Sequence, residues 1–338
     1  MRKLLNTLYL TNPDALLRKQ DDALRVELDG KCVMSVPFHV LDGVVLFGHV
    51  GCSMAVLRAC GERGVSVVML DERGGYTGRF EGPIHGNVLL RREQYKRSVD
   101  SEARLTTAKR FVVAKVHNTR VILLRQARDH TEIAGELGKV AEYLHTSGRS
   151  ALATKSLDEL RGVEGDAAHA YFSVFGSMIR VEGIRFNGRN RRPARDPANA
   201  MLSFFYAMLA RDVATACEAV GLDPQMGYLH ACRPGRMSLA LDLMEELRAP
   251  VVDRFVLGLI NRKQMGAGDF RMEGEACTFT DTAIKRALAL WQERKREEVV
   301  HPYLKEKVPI GLLPFVQAQL LARYLRGDLD DYPAFLWR

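Results

Sequence analysis

Cysteine is scarce and unpatterned in this 338-residue chain: Cys32, Cys52, Cys60, Cys217, Cys232 and Cys277, with no CxxC pair among them. That argues against a zinc ribbon or a disulfide scaffold and makes a reducing, cytoplasmic setting the expectation. Long hydrophobic runs are missing as well. No uninterrupted apolar stretch approaches the roughly 18–20 residues that cross a bilayer, so no membrane-embedded protein is expected. Met1–Leu10 opens with two basic residues and then leucines, but Asn6, Thr7, Asn12, Pro13 and Asp14 interrupt any secretory apolar segment. A first strand is expected there. The chain also lacks a GxxxxGK phosphate loop followed by Ser or Thr, a GxSxG elbow and an HExxH pair, which removes the usual support for an NTPase, an α/β-hydrolase or a zincin. Internal repeats and low-complexity tracts are absent.

What is present is globular. Hydrophobic residues make up 47% and charged residues 27% of the chain, which excludes wholesale disorder, and the length suits about two domains with a sizeable core. Lys and Arg (49) exceed Asp and Glu (41), a formal charge of +8 that favours a polyanionic partner without requiring one.

The first stretch is β-rich. Leu24–Asp29 alternates apolar and polar side chains up to Gly30, and Lys31–Val36 follows at once, predicting a hairpin. Val44–Phe47 and Val65–Leu70 are short apolar runs bounded by glycine, Ser53–Glu62 suits a short helix, Asp71–Gly75 a turn and Tyr76–Phe80 a closing strand. A boundary is expected near Gly82–Gly86. Beyond it, apolar residues recur at three- and four-residue spacing over 104–128, 133–146, 166–179, 198–220, 236–248, 251–264 and 281–300, with prolines between or beside them. The expectation is a two-domain α+β protein: residues 1–86 a small β-rich domain, residues 87–338 a larger, mostly helical one carrying the chemistry.

The most informative helix is 236–248. At 100° per residue its leucines, Ala240 and Met244 cover a broad apolar face, and Asp242, Glu245 and Glu246 gather on the remaining arc, roughly 100° wide. Three carboxylates at that spacing repel one another unless a cation sits there, and oxygen ligands suit Mg²⁺ or Mn²⁺. The alternative is a solvated helix face with Arg248 nearby. His230 lies just upstream, before a Pro234-Gly235 loop that can return it over the carboxylates; Cys232 beside it invites zinc, but no second Cys/His pair completes a tetrahedral site. Glu164, between Val163 and Gly165 ahead of the 166–179 helix, is either a partnered carboxylate in an apolar setting or a helix N-terminal acid.

Arg180, Arg185, Arg189, Arg191, Arg192 and Arg195 form a basic cluster in a Gly-, Asn- and Pro-containing stretch that reads as an exposed, mobile loop, suited to phosphate oxygens or to pairing with surface acids. Arg91, Arg92, Lys96, Arg97, Lys109 and Arg110 form a second, looser cluster. From residues alone, a non-catalytic basic nucleic-acid-binding scaffold stays open, as does a small-phosphoester hydrolase.

Four strings together, Gly162-Val-Glu-Gly165, Arg192-Pro-Ala-Arg-Asp-Pro-Ala-Asn-Ala200, Gly227-Tyr-Leu-His230 and Ser238-Leu-Ala-Leu-Asp-Leu-Met-Glu-Glu246, resemble the CRISPR-associated adaptation integrase family, the universal first CRISPR-associated protein. Leu4–Tyr9 and Gly82–Tyr95 look most like its type I-C branch. The resemblance implies a β domain followed by a helical catalytic domain. It also implies a Mg²⁺- or Mn²⁺-dependent DNA endonuclease and integrase that inserts short foreign DNA segments as spacers into a CRISPR array. By motif, Glu164, His230 and Glu245 would be the metal ligands, with Asp242 a supporting catalytic acid. Many members have Asp at the Glu245 position, which leaves a role for Glu246 open. Arg233 and Arg236 are expected beside the scissile phosphate, and Arg189, Arg191 and Arg192 on the duplex backbone. The implied partners are double-stranded DNA, a second copy in a homodimer joined through the N-terminal domain, and the small second adaptation protein, in a heterohexamer. The tail Tyr332–Trp337 reads either as a docking segment or as core.

Overall fold

A computed structural model describes residues 7–10, 12–41, 43–70, 76–80, 82–83 and 88–337. The chain divides into two units, residues 1–85 with 284–296, and residues 86–283 with 297–338. The predicted turn at 71–75, residues 84–86 of the expected boundary and Leu4–Asn6 lie outside the described residues.

In the first unit the predicted hairpin is present. Strands β1 (Thr7–Leu10), β2 (Leu16–Gln20), β3 (Ala23–Leu28) and β4 (Lys31–Pro37) are followed by β5 (Gly43–Phe47), β6 (Gly51–Cys52), helix α1 (Met54–Arg63), β7 (Ser66–Leu70) and β8 (Tyr76–Phe80). They form two four-stranded sheets, β4-β3-β2-β6 and β1-β5-β7-β8. The β1-β5-β7 run is parallel, and its middle strand β5 is buried throughout, as a Val-Val-Leu-Phe run predicts. Leu17, Leu24, Val26, Val44, Leu46, Val56 and Val67 fill the core. The short strands β2 and β6 carry too little alternation to read from sequence.

The second unit is mostly helical: α2 (Val88–Val99), α3 (Ser101–Asp129), α4 (Ala134–Ala153), α5 (Leu157–Ser173), α6 (Pro197–Ala219), α7 (Ser238–Leu247), α8 (Arg254–Asn261), only the first residues of α9 (Asp281–Arg296), and α10 (Leu313–Arg326). Hairpins β9–β10 (Phe270–Glu273, Ala276–Phe279) and β11–β12 (Glu298–Val300, Lys307–Pro309) interrupt them. Residues 284–296, within the helix predicted over 281–300, group by contact with the first unit. The α+β class, β-rich then mostly helical, is thus the observed one. Helices α2 and α10 fall outside the predicted spans: α2 is rich in charge and weak in apolar periodicity, and α10 is apolar on most sides.

Helix α5 departs from expectation in a way that matters. Asp166 does not open it; Ser156 does, accepting from the Glu159 backbone N–H at 3.2 Å, and the helix runs straight through Gly162 and Gly165. Tertiary packing overrides the glycine propensity, and Glu164 sits mid-helix rather than at an N-terminus.

Helix α6 bears on the membrane expectation without overturning it. It is long and apolar enough, by length and composition, to cross a bilayer, but most of its apolar window is packed inside the protein. It is a core helix: Met201, Leu202, Phe205, Leu209 and Val213 are all buried.

Candidate active site

Helix α7 positions the chemistry. The three carboxylates predicted on its polar arc are not on a solvated face: Asp242 is 0%, Glu245 3% and Glu246 0% exposed. Burial on that scale requires each to find its own donors, and the three turn to separate partners.

Asp242 is occupied by the incoming loop. Its Oδ2 accepts the backbone N–H groups of Tyr228 (2.5 Å) and Leu229 (2.9 Å), and its Oδ1 accepts the N–H of His230 (2.9 Å) and the His230 ring at Nδ1 (2.6 Å). A carboxylate only accepts, so Nδ1 carries a proton, and in the neutral ring the lone pair falls on Nε2. Nε2 faces Glu245, 4.0 Å from its Oε1. Gly227 makes the approach possible: a Cβ there would lie 2.7 Å from the Ser238 carbonyl carbon and 2.8 Å from Asp242 Oδ2.

Glu245 lies among cations. Arg248 reaches its Oε1 at 3.1 Å, and the Lys115 ammonium of α3 reaches its Oε2 at 2.7 Å. The same ammonium hydrogen-bonds Glu164 on α5, so one lysine nitrogen bridges the two carboxylates. Burial by itself would raise the Glu245 carboxyl; Arg248, Lys115 and His230 outweigh it and hold the group well below the usual carboxylate range.

Glu246 points the other way. It accepts the Tyr332 hydroxyl, the Phe335 backbone N–H (2.5 Å) and the Gln317 amide (3.1 Å to each oxygen). Burial pushes it up to about 7 against those bonds. Glu246 therefore belongs to the packing of the C-terminal tail, and a role alongside Glu245 is excluded by direction. The tail itself is core: Tyr332, Phe335 and Trp337 are buried, and Asn118 ties it to α7 through the carbonyls of Phe335 (2.7 Å) and Glu246 (2.6 Å). Of the two readings of the tail, core packing is the one observed.

Glu164, Glu245 and the free Nε2 of His230 supply two carboxylates and an imidazole, the donor set of a Mg²⁺ or Mn²⁺ site. Among the described residues, no three acidic, histidine or cysteine side chains converge tightly enough to enclose an ion as they stand. The Lys115 ammonium contacts two of the three, Glu164 and Glu245.

The whole chain aligns with named relatives. It matches the family model for CRISPR associated protein Cas1 over residues 8–293. It is 49% identical to a Rhodospirillum rubrum protein named CRISPR-associated endonuclease Cas1 2 and 44% identical to a Chlorobaculum tepidum one named CRISPR-associated endonuclease Cas1 1, each alignment covering 100% of both chains. The chain belongs to the Cas1 family. Its fold is that of a solved CAS1 protein from Thermotoga maritima (TM-score 0.82, 24% identity, 98% of this chain and 100% of that one). A casposase bound to an integration product shares it too (TM-score 0.83, 24% identity, 99% of this chain and 95% of that one).

Around this Cas1-family site the predicted arginines separate. Arg191, Arg192 and Arg233 are exposed and Arg236 half-exposed, and Arg191 lines the cavity that Lys115, Glu164 and Arg248 also face. Arg189 is different. Its guanidinium donates to Asn199 Oδ1 (2.7 Å), Ser203 Oγ (3.0 Å) and the Asn190 carbonyl (2.5 Å), and burial lowers it to about 10. It clamps the loop onto α6 rather than facing outward. The 185–195 loop, expected to be mobile, is laced by such bonds, with Arg195 N–H on Asn190 Oδ1 (2.7 Å) and Arg195 paired to Glu275 (3.0 Å). The second basic cluster is also partly spent internally, Lys109 on the Leu152 carbonyl and Arg110 on Asp331.

Lys115 is the residue the sequence reading missed. A signal existed. Ala108, Phe111, Val112, Val116, Thr119, Ile122 and Leu123 form the buried stripe of α3, and Lys115 stands on that stripe at i+3 from Val112 and i+4 from Phe111. A lysine on an apolar stripe must have a buried partner.

Proposed function

We propose that this chain is a Mg²⁺- or Mn²⁺-dependent DNA endonuclease and integrase of CRISPR adaptation, inserting short foreign DNA segments into a CRISPR array by attack of a 3′-hydroxyl on a phosphodiester. The observation that carries this reading is the cation-bridged pair Glu164 and Glu245, with His230 held by Asp242 and its Nε2 4.0 Å from Glu245. Family membership, relatives named endonucleases and a neighbour whose title describes an integration product support it. The type I-C-like branch belongs to the same proposal, resting on Leu4–Tyr9 and Gly82–Tyr95.

Glu164, Glu245 and His230 Nε2 would hold the ion, which when bound supplies a Lewis acid for the scissile phosphate and favours deprotonation of the attacking hydroxyl. Asp242 acts through His230 as a positioning residue, fixing its tautomer and angle. Arg233 and Arg236, on the loop after His230, would contact the scissile phosphate, and the exposed Arg191 and Arg192 the duplex backbone. Arg248 offsets charge on Glu245. The partners proposed are double-stranded DNA, a second copy and the small second adaptation protein in a heterohexamer; structural neighbours include a complex titled with Cas1 and Cas2. The setting proposed is cytoplasmic.

The deciding experiment joins a labelled duplex to a supercoiled plasmid in Mn²⁺. Glu164→Ala and His230→Ala proteins that stay folded should lose cleavage and joining by at least about a hundred-fold; undiminished activity in His230→Ala removes the site. Duplex binding that persists in EDTA, with no turnover in any divalent metal, would favour the non-catalytic scaffold.

A further inference from the structure

The bridging lysine has a second consequence, which rests on the metal reading above. Lys115 Nζ contacts Glu164 and lies 2.7 Å from Glu245 Oε2. An ion held by those same oxygens at about 2.1 Å would occupy almost the same point, with two positive charges against one. Both cannot sit there. The ammonium is also partly sheltered, with its side chain 13% exposed, so screening by water is weak.

We infer that Lys115 is a built-in counter-cation that competes with the divalent metal: it holds Glu164 and Glu245 together and is exchanged out when the ion binds. The lysine thereby sets metal affinity below what two carboxylates and an imidazole would give alone. It also offsets the repulsion between the two carboxylates wherever no ion does so. Its long stem keeps the displaced ammonium on the same cavity wall as Arg191 and Arg248, where an anionic substrate meets it. Metal loading and phosphate binding are then coupled, since a phosphate offers the displaced lysine a new partner.

The test is Mn²⁺ binding to the full chain, read by electron paramagnetic resonance of free Mn²⁺ and by the Mn²⁺-induced rise in melting temperature, neither of which depends on activity. Wild type, Lys115→Met, Lys115→Gln and Glu164→Gln are compared. Lys115→Met and Lys115→Gln should bind Mn²⁺ at least about ten-fold more tightly than wild type, because the competing charge is gone. Both should melt lower without metal and gain more on its addition. Lys115 variants that bind no more tightly than wild type, while Glu164→Gln loses binding, overturn the exchange and leave the metal site standing. Mn²⁺ binding unchanged in Glu164→Gln overturns the metal reading, and the exchange with it. Should the Lys115 variants fold only poorly, rescue by Mn²⁺ supports the exchange and failure of rescue overturns it.

Discussion

His230 owes its usefulness to Asp242, a residue that touches neither metal nor substrate in the proposed reaction. Four hydrogen bonds converge on one buried carboxylate, three from consecutive backbone N–H groups and one from the imidazole. The same group therefore shapes the loop and selects the tautomer. Replacing it by Asn puts an NH₂ where two or more donors must be accepted. Asp242→Asn should weaken Mn²⁺ affinity by about 10- to 100-fold, the usual cost of losing such an outer partner, while Glu164 and Glu245 stay in place. Calorimetric or paramagnetic titration checks this. Equal affinity in Asp242→Asn and wild type would mean that His230 is not a ligand.

Helix α7 carries three acids with three fates, and the fates separate by pH. Glu246 titrates near 7 in the fold because burial outweighs its donors, against about 4.5 for an exposed glutamate. The folded state holds that proton more tightly than the unfolded one, so its contribution to stability is full below about pH 4.5 and is lost as pH rises through 7. The size of that loss is on the order of 3 kcal/mol. Glu245 runs the opposite way: its depressed carboxyl contributes stability above the unfolded value that is lost only as the medium becomes strongly acidic. Urea unfolding between pH 4.5 and 7.5 should therefore show wild-type stability falling with pH, and Glu246→Gln, which carries no titrating proton, should flatten that slope. An unchanged slope in the variant would place the titrating group elsewhere, with Asp253, raised by burial to about 6, the next candidate. The tail-to-α7 clamp is also why the last aromatic residues are core: Gln317, Tyr332 and the Phe335 N–H exist as partners only when the tail packs on the helix that bears Glu246.

On the scale of the whole molecule, the +8 surplus is less telling than where free guanidinium groups remain. Arg189, Lys109 and Arg110 are engaged internally, whereas Arg191, Arg192 and Arg233 are exposed. Each phosphate contact adds about 0.9 to the slope of log affinity against log salt for duplex DNA. Replacing Arg191, Arg192, Arg233 and Arg236 together by Ala should lower that slope by roughly 2–4 and weaken binding evenly across sequences. Arg189→Ala should instead lower the melting temperature, through its lost bonds to Asn199 and Ser203. A salt slope unaffected by the fourfold change would place the duplex on another surface.

The division of labour between sequence and fold follows from range. Alternation over residues 24–36, apolar runs at 44–47 and 65–70, and the three- and four-residue periodicity of α3, α4, α6 and α9 are local patterns, and local patterns were enough to place an α+β chain, β-rich first, with its acids and histidine close together around α7. The first half of α5, residues 157–165, escaped because its two glycines argue locally against a helix that only packing on α3 and α4 rewards. Residue types and spacing alone were enough to show which side chains could bind a cation and that Asp242, Glu245 and Glu246 share little more than one turn of helix. Folding settled which of them faces His230, which anchors the loop and which anchors the tail, and it brought Lys115 on α3 against both Glu164, 49 residues on, and Glu245, well over a hundred residues on. A carboxylate's role is set by the donors around it, and those donors come from chain segments that meet only on folding.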